Sequence, residues 1–327
     1  GIARGLVDLA TRARTGKLLP ADMEGATFTV TSTGQLGAAF AIPIVNQAGM
    51  RDSLRQFGPD NGTDVIWETL VDPKTVELTA NDNTIYNFIW IDTHQGPVVI
   101  EVPPMSLGTI DNFWYKWVSD VGITGPDQGK GGKYLILPPG YQGEVPEGYF
   151  VVRPSTYGNW VPFRTFLVDG SPKPGVESVK QHLKIYPLAG VANPPPVKFV
   201  NASGIPSNFV APGDYAFWDL LNKVIQEEPS EGSDPTTLGL FASIGIEKGK
   251  PFAPDERMKR ILADAANIGA VTARSLAYRI RGKEAFIYPE GQWRKPFFGG
   301  YKFEVSPGVA NLDGAIFFYY IATGVTP

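Results

Sequence analysis

The strongest constraint on the fold is a nine-residue stretch, residues 84–92, in which side chains alternate with a period of two. Tyr86, Phe88 and Trp90 fall on one face of an extended chain, and isoleucines such as Ile89 fall on the other. Since both faces are mostly apolar, the pattern predicts a strand that is covered on both sides, at the centre of a sheet.

More short strands are predicted around this one. The candidates are residues 97–102, 133–137, 149–153, 159–168 and 183–186. Each is bounded by Gly, Pro or Asn, and the 37 glycines and 29 prolines of the chain follow no period, which is typical of strands joined by tight turns. Residues 64–193 are therefore predicted to form an antiparallel β-sandwich domain.

Helical patterns flank this region. Residues 1–63 are predicted to be a helical lead-in, with a short amphipathic helix at residues 3–15 and a helix at residues 34–57 that breaks at Pro43, because proline lacks the amide donor. Three consecutive prolines at 194–196 then act as a stiff joint. Residues 194–282 are predicted to be a helical middle domain, with helices after Asp214, at 236–244 and at 254–279.

The last part of the chain returns to a strand pattern. Residues 314–323 indicate a buried strand, and one or two strands do not make a stable sheet. Residues 283–327 are therefore expected to begin a C-terminal β-domain that a second polypeptide or a cleaved segment of the same precursor completes. The predicted fold class is α+β and multidomain.

Composition excludes several functions. The chain has no cysteine, which excludes disulfides and thiolate chemistry, and its net charge of -4 has no basic block of the kind that binds nucleic acid. No apolar run approaches the ~20 residues that span a bilayer. Because the sequence starts at Gly1 and stops at Pro327, after an apolar strand, we expect both ends to be cut and a signal peptide to have been removed.

Two segments carry candidate binding residues. The turn at residues 81–84 places Asn81 and Asn83 before the central strand, where their oxygens can serve the turn itself or bind calcium or sugar hydroxyls. Residues 113–117 contain four aromatics, including Trp114, and Asp120 follows. Rings beside a carboxylate suit a carbohydrate or a small aromatic ligand, and they also suit packing between domains. Trp114 fits both uses equally, whereas the other rings of the segment favour packing.

Other catalytic motifs are incomplete. The Gly-rich segment 129–133 fails the phosphate-loop pattern, because it leads into a strand and has Tyr134 where Ser or Thr belongs. With only His94 and His182, a three-histidine zinc site is excluded, and no nucleophile elbow is present. Carboxylate pairs stay open as acid–base candidates, since folding can bring aspartates together. They are Asp82, Asp92, Asp111, Asp120 and Asp127.

The chain resembles the family called domain of unknown function 1254, which a domain numbered 1214 usually follows. The resemblance rests on residues 78–86, 96–104, 111–114, 125–134 and 240–254, and it spans residues 35–327. It implies a β-sandwich, a helical middle domain, the start of a C-terminal jelly-roll-like domain, and export to the periplasm or outside the cell. It brings no established catalytic machinery and no cofactor.

The sequence thus leaves the activity unknown and favours an exported, oligomeric protein that binds a ligand or a partner. The predicted cleft lies between the sandwich and the helical domain. Its predicted lining residues are Asn81, Asn83, Tyr86, Trp90, Trp114, Asp120 and Arg164. One alternative is a hydrolase or lyase on a polar polymer or small molecule that uses Asp120 or Asp82 and a divalent cation. Another is a structural component whose aromatics anchor an assembly.

Overall fold

The structure is a computed structural model, and it describes residues 37–76, 81–278, 286–291, 304–306 and 309–310. The described part is α+β, with several mostly antiparallel sheets and five α-helices. The helix predicted for residues 3–15 and the strand predicted for residues 314–323 lie outside the described residues.

The largest sheet has six strands with the predicted central strand in its interior. In spatial order they are β11 (Lys198–Asn201), β1 (Thr63–Ile66), β3 (Thr84–Asp92), β9 (Gly158–Phe166), β5 (Ser106–Asn112) and β6 (Trp117–Gly122). β3 pairs with β9 along its entire length, from Thr84 opposite Phe166 to Asp92 opposite Gly158. Eight of the nine residues of β3 are buried, so the prediction of a strand covered on both faces is confirmed.

A second sheet has four strands. They are β10 (Lys184–Pro187), β4 (Val98–Val102), β7 (Gly132–Ile136) and β8 (Phe150–Val152). Two further sheets have two strands each. They pair β12 (Ser207–Asn208) with β2 (Thr75–Val76), and β13 (Glu304–Ser306) with β14 (Val309–Ala310).

Five α-helices accompany the sheets. They are α1 (Gly37–Leu54), α2 (Lys173–His182), α3 (Ala216–Glu227), α4 (Pro235–Ala242) and α5 (Glu256–Tyr278). The amphipathic stripe predicted after Asp214 is confirmed in α3, where Phe217, Leu221 and Val224 are buried. The apolar face of α3 therefore packs inward, as the spacing of these residues predicts.

The predicted break of the first helix at Pro43 is wrong. α1 continues through Pro43 as one helix of 18 residues. Proline in a helix interior costs about 3 kcal/mol, because a backbone hydrogen bond is lost. Here the neighbours Ile42, Ile44 and Val45 are all buried in the core, and tertiary packing of this kind supplies most of the stability of a protein helix.

The six-stranded sheet separates two cores. Its aliphatic face shares a cluster with the four-stranded sheet and α2, in which Ile89 of β3 and Val161 of β9 meet Ile100 of β4. Its aromatic face packs against the helices, and Trp90 and Phe88 of β3 join residues of α1, α3 and α5 there. We call this second side the helix-facing side.

Several elements were absent from the prediction or crossed its boundaries. β5 and β6 lie in the aromatic-acidic segment, where a β-bulge and a turn interrupt the alternation of side chains. α2 follows a proline and is short. β11 lies beyond the three prolines and still joins the six-stranded sheet, parallel to β1, so the sheet extends past the predicted domain limit at residue 193.

Candidate functional site

The helix-facing side of the sheet carries bulky rings on adjacent strands. Trp90 of β3 lies opposite Trp160 of β9, and Trp160 lies opposite Asp111 of β5. The ring of Trp90 meets that of Phe113 edge to face, with 4.9 Å between centroids, and Phe88 meets Trp160 at 5.3 Å. Trp90, Trp160 and Asp111 therefore form a row across three adjacent strands, with the carboxyl group of Asp111 at its end.

Helix α1 places Arg51 against two rings of this region and carries Gln47 on the same face. The guanidinium carbon of Arg51 lies 4.6 Å from the ring centroid of Phe113 and 5.9 Å from that of Trp90. Gln47 lies one helical turn earlier, so it shares the same face of α1. Both side chains are buried, Gln47 completely and Arg51 with 3% exposed. Glu227, at the end of α3, accepts a hydrogen bond from Arg51.

Several buried polar groups in this region have no hydrogen-bond partner within the part of the chain that the structure describes. We call them the open polar groups. They are the side-chain amide of Gln47, Nε and Nη2 of Arg51, Nε1 of Trp114, Nε1 of Trp160 and Oδ1 of Asp111. Leaving such a group unsatisfied costs about 1–3 kcal/mol, and buried polar groups in native proteins are almost always bonded.

Asp111 is the titratable member of this set. Burial raises the pKa of its carboxyl group to about 7, a hydrogen bond from Thr109 at 3.1 Å opposes the rise, and the negative charge of Asp120 adds to it. Asp120 lies on the edge strand β6, opposite Thr109, and accepts a hydrogen bond from the indole of Trp117 at 2.8 Å. One carboxyl group of this pair can thus exchange a proton near neutral pH.

Asn81, Tyr86 and Arg164 form a second group on the same side of the sheet. Tyr86 lies opposite Arg164, whose guanidinium carbon is 5.8 Å from the tyrosine ring centroid. The amide of Asn81 donates to the hydroxyl of Tyr86 at 2.9 Å, and its side-chain oxygen accepts from the amides of Asn83 and Thr84. Asn81 thus has the bonds of an Asx turn at the start of β3.

The predicted lining residues are therefore split. Trp90 and Trp114 lie among the open polar groups, whereas Tyr86 is four residues along β3 from Trp90, or about 13 Å. Asp120 is at the sheet edge, and Asn83 is exposed. The structure places no more than part of the predicted set together.

Gln47, Arg51 and Trp160 were missing from the predicted site. A signal existed for two of them, since Gln47 and Arg51 interrupt the apolar face of a helix at a spacing of four residues. The proximity of α1 to β9 comes from the tertiary fold, which the sequence pattern does not reveal.

Glu228 holds the end of α3 against the sheet. Its two carboxylate oxygens accept hydrogen bonds from the backbone amides of Tyr157, at 2.6 Å, and Gly158, at 2.9 Å. Burial raises the pKa of Glu228 to about 7, and these two bonds oppose the rise. A Cβ at Gly158 would come within 3 Å of the rings of Trp90 and Phe113, so this clamp borders the open polar groups.

Two of the other candidate aspartates, Asp127 and Asp92, serve local structure, and Asp82 is exposed. Asp127 accepts hydrogen bonds from the amides of Gly122 and Gly131 and from the hydroxyl of Tyr134, which fixes the Gly-rich loop before β7. Asp92 accepts from His94 at 2.7 Å, at the end of β3. Within the described residues, no group of three or more His, Asp or Glu side chains is arranged to hold a metal ion, and no helix there is both long and apolar enough to cross a membrane.

Two regions of the chain match families of known proteins. Residues 62–187 match the family described as protein of unknown function (DUF1254), which confirms the first part of the resemblance. This stretch contains the four-stranded sheet and all of the six-stranded sheet except β11. The continuation into domain 1214 stays a prediction.

The solved structure of the VPA0106 protein from Vibrio parahaemolyticus has a similar fold. Its TM-score is 0.57 at 19% sequence identity, over 90% of this chain and 68% of that one. At this identity the likeness concerns the fold alone.

The N-terminal part matches a different family. Residues 1–50 match the catalytic domain of the 2-oxoacid dehydrogenase acyltransferases, a range that includes Gln47 and stops short of Arg51. The dihydrolipoyllysine-residue acetyltransferase component of the pyruvate dehydrogenase complex from Mycobacterium bovis is 49% identical over 45 residues, which are 14% of this chain and 8% of that protein. The same component from Corynebacterium glutamicum is 49% identical over 51 residues, again 8% of its length.

Proposed function

We propose that the protein binds a small polar ligand between the six-stranded sheet and the helices α1 and α3, and that it acts as a binding protein. The observation that carries this proposal is the set of open polar groups beside the rings of Trp90 and Phe113. Recognition sites for small molecules typically combine aromatic walls with a few polar groups that point to one place.

A bound ligand would also remove an energetic cost. Gln47 has neither a donor for its oxygen nor an acceptor for its nitrogen among the described residues, and its side chain is fully buried. A ligand that hydrogen-bonds this amide regains part of the desolvation free energy that folding alone loses. Ordered water can do the same in its absence, and a ligand would then displace it.

The proposal is tested by a thermal-shift screen of the purified chain against neutral sugars, carboxylates, amines and divalent cations. At least one class should raise the melting temperature of the wild type and fail to do so for Gln47→Leu. The matched control is Gln181→Leu, which changes an exposed glutamine on α2 and should respond as the wild type does. If no class stabilises the wild type, the proposed function is wrong.

A second candidate function is hydrolysis or elimination on a polar substrate. The observation in its favour is the neighbouring pair Asp111 and Asp120, in which burial raises the pKa of Asp111 to about 7. Pairs of carboxyl groups in unlike environments supply the acid and the base of many hydrolases. Turnover of a polysaccharide that Asp120→Asn abolishes at unchanged melting temperature would favour this function over binding alone.

We also propose that the two large sheets pack face to face as a β-sandwich. The supporting observation is their common aliphatic cluster, to which β3 and β9 contribute from one sheet and β4 and β7 from the other.

A further inference from the structure

Resting on the proposed function, we infer that the ligand is an uncharged, oxygen-rich molecule such as a polyol or a sugar, held through its oxygens by Gln47, Arg51 and Trp160. The charges around Arg51 lead to this class of ligand, and the numbers of unsatisfied donors and acceptors lead to it separately.

The charge of Arg51 is already balanced by its ion-pair partners. Arg51 is paired with Glu227 and has its Nε 3.6 Å from a carboxylate oxygen of Asp52. Asp52 in turn accepts a hydrogen bond from Lys223 at 3.1 Å. These two cations and two carboxylates sum to zero, so Arg51 has no unneutralised charge to offer an anion.

Either sign of ligand charge would meet repulsion. A carboxylate ligand would approach Glu227 and Asp52, and the buried carboxyl groups of Asp111 and Glu228 border the same region. An ammonium ligand would face the guanidinium of Arg51 at short range. Because a buried charge without a partner is costly, the balanced surroundings favour a ligand without net charge.

The hydrogen-bond count shows what such a ligand must offer. Five of the open polar groups are donors: Nε and Nη2 of Arg51, Nε2 of Gln47, and the indole nitrogens of Trp114 and Trp160. Only two are acceptors, Oε1 of Gln47 and Oδ1 of Asp111. The ligand must therefore supply more acceptors than donors. A hydroxyl group offers two lone pairs and one O–H, and an ether oxygen offers acceptors alone.

The rings beside these groups fit the same class. Trp90 and Phe113 lie beside the guanidinium of Arg51, and Trp160 lies opposite Trp90. The C–H faces of a pyranose ring pack against aromatic side chains while its hydroxyl groups reach polar atoms. A purely apolar ligand would leave the five donors unsatisfied.

Three probes that share one ring shape and differ in charge test this inference. They are methyl glucoside, which is neutral, glucuronate, which carries a carboxylate, and glucosamine, which carries an ammonium group. At saturating concentration the neutral probe should raise the melting temperature by about 2 °C or more. The two charged probes should bind at least tenfold more weakly, as measured by calorimetric titration.

Variants of the same chain link that response to the site. Gln47→Leu and Trp160→Phe each remove one or two of the hydrogen-bonding groups, and each should weaken binding of the neutral probe about tenfold or more. The control Gln181→Leu should bind as the wild type does.

The outcomes separate this inference from the proposed function. If glucuronate or glucosamine binds more tightly than the neutral probe and Gln47→Leu abolishes that binding, the site stands and the ligand class is wrong. If the neutral probe binds and neither Gln47→Leu nor Trp160→Phe weakens it, the inference is overturned because the sugar binds elsewhere. If none of the three probes binds while another class in the wider screen does so through Gln47, the class is again wrong. If no compound in that screen binds, the proposed function fails as well.

Discussion

Each face of the six-stranded sheet buries an aspartate. The two faces differ in the kind of hydrogen-bonding group that has no partner among the described residues. On the aliphatic face, Asn87 donates to Asp64 at 2.7 Å, and one oxygen of each side chain lacks a donor among the described residues. A proton on Asp64 would supply that donor. On the helix-facing side, donors outnumber acceptors, and no added proton can correct such an excess.

This difference indicates which face of the sheet has groups that the chain alone does not satisfy. A surplus of acceptors in a core is resolved by protonation, and burial indeed raises the pKa of Asp64 to about 8. A surplus of donors needs further acceptors, which no described residue supplies. The helix-facing side is therefore the side on which we propose that a ligand binds.

The largest expected effect comes from removing the aromatic wall. Trp90→Ala should lower the free energy of unfolding by about 3–5 kcal/mol, because a buried indole is lost and a cavity is left beside Phe113 and Arg51. Chemical denaturation measures the change. Trp117→Ala is the control, since 48% of that residue is exposed, and it should change stability by less than about 1 kcal/mol. Equal losses would show that Trp90 is not part of a packed core.

The next effect is on the pH dependence of stability, and it concerns Asp64 on the aliphatic face. The folded pKa of Asp64 is about 8, against an ordinary value of 3.8, so its protonation stabilises the fold fully below about pH 4, and this contribution is lost as the pH rises through 8. Asp64→Asn keeps a neutral side chain at every pH. Its stability relative to the wild type should therefore increase from pH 4 to pH 8, by on the order of a few kcal/mol.

Asp111→Asn gives the corresponding pH dependence for the helix-facing side. The folded pKa of Asp111 is about 7. The stability of Asp111→Asn relative to the wild type should therefore stop increasing about one pH unit lower than that of Asp64→Asn. Urea titrations at a series of pH values measure both curves, and Asp82→Asn, at an exposed position, is the control. A difference for Asp64→Asn that is constant with pH would mean that the carboxyl group is solvated.

A smaller effect is expected at the clamp between α3 and the sheet. Glu228→Ala leaves the amides of Tyr157 and Gly158 without their carboxylate acceptor, which should cost about 2–3 kcal/mol. The nearby exposed Glu231→Ala should be neutral within about 0.5 kcal/mol. Amide hydrogen exchange at Gly158 should also accelerate in Glu228→Ala. Unchanged exchange there would show that the clamp does not hold this end of the strand.

The smallest expected effect has the opposite sign. Gln47→Leu should raise the free energy of unfolding of the ligand-free protein by about 1 kcal/mol, because it replaces an unsatisfied buried amide by an apolar group of similar size. Gln181→Leu should leave it unchanged. A loss of stability in Gln47→Leu would mean that the amide already has partners in the folded protein.

The sequence predicted the elements that have a regular period and buried faces. β3 was located residue for residue, and α3 and α4 were placed within a few residues of their ends. β5 and β6 were missed, because a bulge between Ile110 and Asp111 shifts the register and Tyr115 takes a left-handed backbone with φ of 58°. The prediction broke α1 at Pro43, because helix propensity is a local property and does not include the tertiary packing of this helix.

The candidate site was predictable in part for the same reason. Trp90 stands out in the sequence as a bulky ring of the central strand, and Trp114 as one of the rings of the aromatic-acidic segment. Gln47 and Arg51 lie far from the sheet strands along the chain, and only the packing of α1 on the sheet brings Arg51 to the ring of Trp90, the strand neighbour of Trp160. Sequence patterns indicate which residues face a core, but they do not indicate which element covers that face.

The most direct measurement is the indole region of a proton–nitrogen NMR spectrum during titration with methyl glucoside. The indole N–H signals of Trp114 and Trp160, assigned through Trp114→Phe and Trp160→Phe, should shift saturably, and the signal of Trp117, whose indole already donates to Asp120, should stay in place. Stationary signals from Trp114 and Trp160 while the sugar binds, or a shift confined to Trp117, would contradict a ligand site on the helix-facing side.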